Sequence, residues 1–196
     1  MTLDFINVGY GDAILIRSGS FTMLVDCGDW TVGDGGPDSQ RISAADFLRQ
    51  EGIDTLDLLV LTHLHRDHSG GLTELLECVA VRSFRCNYLP DRIFWGKRVP
   101  VPEGFSAGAR CLLESLNVFL SALAIMEQQG TEVSLASPGT WPLTPELTAE
   151  CFLEAQPIFE RQAAIWQNVP EDRADNRELE ELDGFINNTS IRLRLI

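Results

Sequence analysis

The histidines of this chain constrain its fold more than any other feature. There are three in 196 residues, and all of them fall in Thr62-His63-Leu64-His65-Arg66-Asp67-His68-Ser69-Gly70-Gly71, directly after the apolar run Leu-Asp-Leu-Leu-Val-Leu at 56–61. A nearly continuous run of this kind is the pattern of a strand buried on both faces, which places the cluster at that strand's C-terminal end. Residues i and i+2 on extended backbone point to the same side, so His63 and His65 offer imidazole nitrogens to one ion. Asp67 and His68 follow where the chain turns toward a helix, within reach of a second ion. This mixture of nitrogen and carboxylate suits Zn2+, with Mn2+ and Fe2+ also compatible. Gly70 and Gly71 are expected to let the backbone turn tightly beside the site. A lone histidine is ordinarily a surface residue; four ligand-type residues at this spacing after a buried strand read as a metal centre.

The remaining pattern interleaves strands and helices, which argues for α/β layers. Segments 3–8, 13–17 and 21–25 read as a strand meander with glycine-marked turns, and 28–40 as a loop. A helix is expected over 43–50, with Gly52 as its stop. Helical character at 72–78 and a strand at 79–88 follow. A long helix over 107–129 carries Leu112, Leu116, Phe119, Leu120 and Leu123 at three- and four-residue spacing, with Gly130 just past its end. Short strands are expected at 133–135 and 147–153, an acidic helical stretch interrupted at Pro170 over 158–182, and an alternating strand over 190–196.

A hydrophobic content of 44% over 196 residues suffices for one domain with a core, and no Ser/Gly tract, Pro-rich spacer or repeat marks a linker. Residues 1–196 therefore read as a single domain. The net charge of -14 argues against a Lys/Arg stripe that grips nucleic-acid phosphates, although a bound divalent ion supplies positive charge locally. The first six residues show no basic leader, so no signal peptide is expected. The apolar run 118–126, broken by Ser121, is too short for a membrane segment. Cys27, Cys78, Cys86, Cys111 and Cys151 form an odd set without a CxxC pair. With no signal, they read as reduced thiols of a cytoplasmic protein, serving mainly as small core residues. The sequence does not set the oligomeric state.

His63-x-His65-x-Asp67-His68 followed by Ser-Gly-Gly resembles the HxHxDHxGG signature of the metallo-β-lactamase superfamily. Asn7-Val8-Gly9-Tyr10-Gly11-Asp12-Ala13-Ile14-Leu15-Ile16 resembles the opening VGQGDAILI segment of the branch represented by the hydrolase domain of the ComEC competence protein. Val25-Asp26-Cys27-Gly28 and Asn187-Asn188-Thr189-Ser190-Ile191 are similar to that branch as well. The likeness is close over 3–72 and loose over 105–196. It implies an αββα sandwich with one or two metal ions at the edge of its sheets, where a metal-bound hydroxide attacks a carbonyl or phosphorus centre. The implied function is a metal-dependent hydrolase acting on a small-molecule, phosphodiester or nucleic-acid-type substrate. The alternatives are an ester, lactone or thioester hydrolase, or a truncated, non-catalytic metal-binding chain.

By the same resemblance Asp67 is the catalytic residue, touching the second ion and orienting the nucleophile. Asp12 and Asp26 are expected as supports that hold ligands in place, although a plain turn or strand-end role suits them equally. No histidine follows His68, so the superfamily's usual third histidine has no counterpart. Asn187 and Asn188 align loosely at its place, as ligands or on the substrate side. Family members continue past this point into a strand ending in Thr-Gly-Asp and a later histidine, so the sandwich is expected to be incomplete at its C-terminus, with an open pocket and exposed apolar residues beside it. Residues 29–38 read either as a border of the site or as a surface loop, and 171–183 as a solvated acidic helix face.

Overall fold

The computed structural model describes residues 1–33, 36, 39–154, 156–169 and 173–196. Its larger sheet opens with β1 (Thr2–Phe5), β2 (Ile14–Ser18) and β3 (Phe21–Val25), the antiparallel meander expected from the turn glycines. From β3 the pairing turns parallel through β4 (Thr55–Leu61), β5 (Ala80–Cys86) and β6 (Glu132–Leu135), in the spatial order β1-β2-β3-β4-β5-β6. The position of β4 inside this sheet explains its apolar run. Leu59 and Leu61 enter the core beneath the helices, while Leu58 and Val60 enter a second core between the two sheets.

Parallel neighbours need crossovers, and helices provide them. α1 (Ala44–Gln50) joins β3 to β4, α2 (Arg66–Ser69) and α3 (Leu72–Cys78) join β4 to β5, and α4 (Ala107–Gln129) joins β5 to β6. Capping residues set the helix limits: Ser43 Oγ accepts from Asp46 N, Ser106 Oγ accepts from Ala109 N, and Gly130 closes α4 at φ 76°. By length and composition alone α4 could cross a bilayer, contrary to the expectation drawn from its shorter apolar run. Here Leu112, Leu116, Phe119, Leu120 and Leu123 spend that apolar side on the core, where each contributes roughly 1.5–3 kcal/mol.

The smaller sheet is antiparallel: β7 (Gly139–Thr144), β8 (Leu147–Phe152) and β9 (Arg192–Leu195), in that order. β7 is not among the strands expected from the sequence, and it contains Pro142. As an edge strand β7 tolerates the missing N–H. Trp141, Leu147, Ala149, Cys151 and Ile191 pack from this sheet onto Ile16, Met23, Leu58 and Val60 of the larger one. On its other face Arg192 and Arg194 pair with Glu154 and Glu150. The expected acidic helical stretch is two helices, α5 (Gln156–Asn168) and α6 (Asn176–Phe185); Pro170, the expected break, lies outside the described residues. A 3-10 turn, Ile186–Thr189, then leads into β9. All five cysteines are free, with Cys27, Cys86 and Cys151 buried.

Candidate metal centre

The cluster is built where β3 and β4 end side by side. Asp26 follows β3 and hangs on β4 through Asp26 N to Val60 O at 2.8 Å. It is the one non-glycine residue with positive φ among those described, at 59°, a conformation Asp tolerates better than most residues. Its carboxylate, 2% exposed, repays that strain with three donors. Oδ1 accepts from Thr62 N at 2.7 Å, and Oδ2 accepts from Thr62 Oγ1 at 2.7 Å and from His68 Nδ1 at 2.8 Å.

These bonds fix which imidazole nitrogens carry hydrogen. Thr62 gives its only hydroxyl proton to Asp26, so it accepts from His63 Nδ1, 3.0 Å away. Ser190 Oγ lies 3.2 Å from the same nitrogen. His63 Nε2 is left with its lone pair, 3.2 Å from His65 Nδ1. That separation fits two ligands of one tetrahedral ion, since nitrogens about 2.0–2.1 Å from a shared zinc stand about 3.3 Å apart. His65 Nε2 faces Asp183 Oδ1 at 3.2 Å, and Asn187 Oδ1 approaches His65 Nδ1 at 3.1 Å. His68, anchored through Nδ1, turns Nε2 to within 3.8 Å of Asp67 Oδ2.

Burial, together with the neighbouring His68 and His65, pulls His63 from its ordinary value down to about 3, so its imidazole is neutral and ready to ligate. Burial works against the charged form of His68 too, but the Asp26 hydrogen bond and charge outweigh it and raise the pKa. Burial likewise raises Asp26 against the pull of His68 and Thr62. With two Thr62 donors also on the carboxylate, the proton between Asp26 and His68 belongs on Nδ1.

Among the described residues no three His, Cys, Asp or Glu side chains close on one point. The nearest approach to a cage is His63 Nε2, His65 Nδ1 and the Asn187 amide oxygen, with Asp67 and His68 beside it. This donor set suits a divalent ion, because each imidazole is held through one nitrogen and presents the other inward. Asp12 is exposed, close enough for its charge to act on His68. Asn188 is exposed and makes no hydrogen bond to the cluster. Of residues 29–38, Asp29 borders the site by accepting from Arg66 Nε at 2.9 Å, and Arg66 lies over the Trp30 ring; 34, 35, 37 and 38 lie outside the described residues.

Two expectations need correction. Gly70 and Gly71 have ordinary helical φ of -61° and -77°; tight turning is not what requires them. A Cβ on Gly70 would come 2.4 Å from Trp30 N, and one on Gly71 2.4 Å from Cys27 O, so their role is close approach of α2 to the strand ends. Asp183 was counted only as part of a solvated acidic face, yet it reaches His65. No local pattern signals it: His65 lies 118 residues away in the sequence, and Asn187 lies beyond α6 in the 3-10 turn.

Residues 6–107, just over half the chain, match the family model described as the Metallo-beta-lactamase superfamily. No curated protein matches significantly. Similar solved structures include MEM-A1, a subclass B3 metallo-beta-lactamase from a soil metagenome library, at 19% identity over 74% of this chain and 47% of that one, TM-score 0.44. The archaeal superfamily protein ST1585 from Sulfolobus tokodaii is 20% identical over 77% of this chain and 54% of its own, TM-score 0.43. YhfI of Bacillus subtilis, a metallo-beta-lactamase fold protein, is 15% identical over 78% and 53%, TM-score 0.42. The chain spans about half the length of these structures.

Proposed function

The chain belongs to the metallo-beta-lactamase superfamily, whose members are mostly metal-dependent hydrolases, and from that premise we propose that it is a metal-dependent hydrolase centred on His63, His65, Asp67 and His68. One observation carries the reading: all three imidazoles rest one nitrogen on an oxygen acceptor and leave the other to ligate, His63 Nε2 standing 3.2 Å from His65 Nδ1 and His68 Nε2 facing Asp67. His63 Nε2, His65 Nδ1 and the Asn187 amide oxygen would hold a first ion, and His68 Nε2 with Asp67 a second. Bound zinc, manganese or iron supplies Lewis acidity and a water activated near neutral pH. The chain's own groups position the reaction. Asp26 fixes the His68 tautomer, and Thr62 fixes that of His63. Asp67, its side chain 44% exposed, accepts a hydrogen bond from the attacking water and orients it.

For the substrate, a small phosphodiester or nucleic-acid-type molecule is favoured by the likeness of residues 7–16 to the ComEC-like branch. The net charge of -14 favours a substrate held at the ions over a duplex gripped along its backbone. The test is turnover of bis(p-nitrophenyl) phosphate and of p-nitrophenyl acetate with added Zn2+ or Mn2+. Phosphodiester turnover that a chelator removes and fresh metal restores supports the reading. Turnover of the ester alone selects the ester, lactone or thioester alternative. A second reading, a metal-binding chain without turnover, is favoured by the Asp67–His68 pair, which has no third side chain closing on it among the described residues. Metal bound without either activity selects it.

A further inference from the structure

We propose that Asp183, in the last turn of α6, is the positioning residue for His65, holding the ring through Nε2 so that Nδ1 is presented beside Asn187. The proposal rests on the metal-centre reading above. Asp183 Oδ1 lies 3.2 Å from His65 Nε2, and Asn187, four residues on, places Oδ1 3.1 Å from His65 Nδ1. Asp183 and Asn187 therefore face the two nitrogens of one ring. Both oxygens only accept, so the single proton of the neutral ring goes to the charged acceptor, Asp183, where the bond is stronger, and the Nδ1 lone pair is left beside Asn187 Oδ1 and His63 Nε2 for a shared ion. Of the other acidic groups around α6, Asp175 caps the helix and Glu181 pairs with Arg161. Among the described residues Asp183 has no cationic partner except His65.

The neighbouring helix is shaped to admit this carboxylate. A Cβ on Gly108, in the first turn of α4, would stand 2.8 Å from Asp183 Oδ2. An alanine there would push the carboxylate aside, although alanine favours the helix itself. Without its acceptor the His65 ring would be free to rotate and to move its proton to Nδ1, which removes a ligand lone pair.

The experiment uses the full chain and the variants D183A, D183N and G108A. Zinc affinity is read by chelator competition, the His65 tautomer by long-range 1H–15N correlation of the metal-free protein, and stability by thermal melting. D183A should bind zinc about 10–100-fold more weakly and shift His65 toward the Nδ1–H tautomer. D183N, whose amide oxygen still accepts, should recover most of both. G108A should weaken binding without loss of melting temperature. Unchanged affinity and tautomer in D183A would overturn the proposal, as would D183N and D183A losing affinity and stability alike, the mark of a merely structural role. If the unaltered chain binds no ion, the hydrolase reading fails, and the tautomer comparison still decides the part assigned to Asp183.

Discussion

At the scale of single residues, the centre depends on where each imidazole keeps its proton, and Asp26 controls the most buried part of that arrangement. It accepts from Thr62 N, Thr62 Oγ1 and His68 Nδ1 at once. Asp26→Ala strands these donors and puts alanine into a left-handed conformation, so it should cost about 3 kcal/mol or more. Urea unfolding of the metal-free protein measures that loss, and Asp12→Ala, at an exposed position, should leave the midpoint unchanged. His63 gives a pH signature. Its folded pKa is about 3, below the ~6.5 of a free imidazole. Between these values the unfolded chain binds a proton that the folded chain does not, so metal-free stability should fall as pH drops from about 6.5 toward 3. His68, with its raised pKa, has the opposite slope: its contribution is present at low pH and lost as pH rises. Comparing pH-dependent urea midpoints of the unaltered chain and His63→Asn isolates the His63 part, and His63→Asn should flatten the acid limb. The spacing of His63, His65, Asp67 and His68 was legible in the sequence because i and i+2 geometry is local. Asp183 was not, because its partner lies 118 residues away and only the packing of α6 on α4 brings them together.

At the scale of elements, short loops bring the cluster together by backbone approach. Gly11, at φ 80°, has no room for a side chain, since a Cβ would fall 1.6 Å from Asp67 O. Gly19 has φ 61° with nothing within 4 Å of its would-be Cβ. Alanine at either position pays the left-handed penalty of about 1–2 kcal/mol, but only Gly11→Ala must displace the start of α2. We expect Gly11→Ala to weaken metal affinity as well as stability, and Gly19→Ala to lower stability alone, as read by chelator competition and urea unfolding. Equal metal affinities in the two variants would remove the loop at Gly11 from the account. The elements themselves show what sequence patterns can reveal. α4 was visible from end to end because its apolar spacing and Gly130 stop are written locally. β7 was hidden because Pro142 contradicts a strand, and what permits it is an edge position that only the assembled sheet defines. Gly70 and Gly71 were recognisable as required glycines, but the reason is the packing of Trp30 and Cys27, which no local pattern encodes.

At the scale of the whole molecule, two sheets pack face to face, with helices covering the larger one and the histidine cluster at the C-terminal end of β4. Mixed α/β layering was legible from the interleaved periodicities and the doubly buried strand. Below the centre, a groove of about 530 Å³ reaches from His63 and His68 past Ile14 and Leu193 to Leu3 and Phe5, and Phe5 is 75% exposed. Metal binding is thus the claim on which fold, site and function all converge. The most direct measurement is equilibrium dialysis against Zn2+ followed by elemental analysis, run on the full chain and on a His63→Ala/His65→Ala double variant whose fold is checked by circular dichroism. The account predicts one or two ions retained per chain and loss of the first in the folded double variant. A chain that retains no ion, or a folded double variant that retains as many as the original, would contradict it.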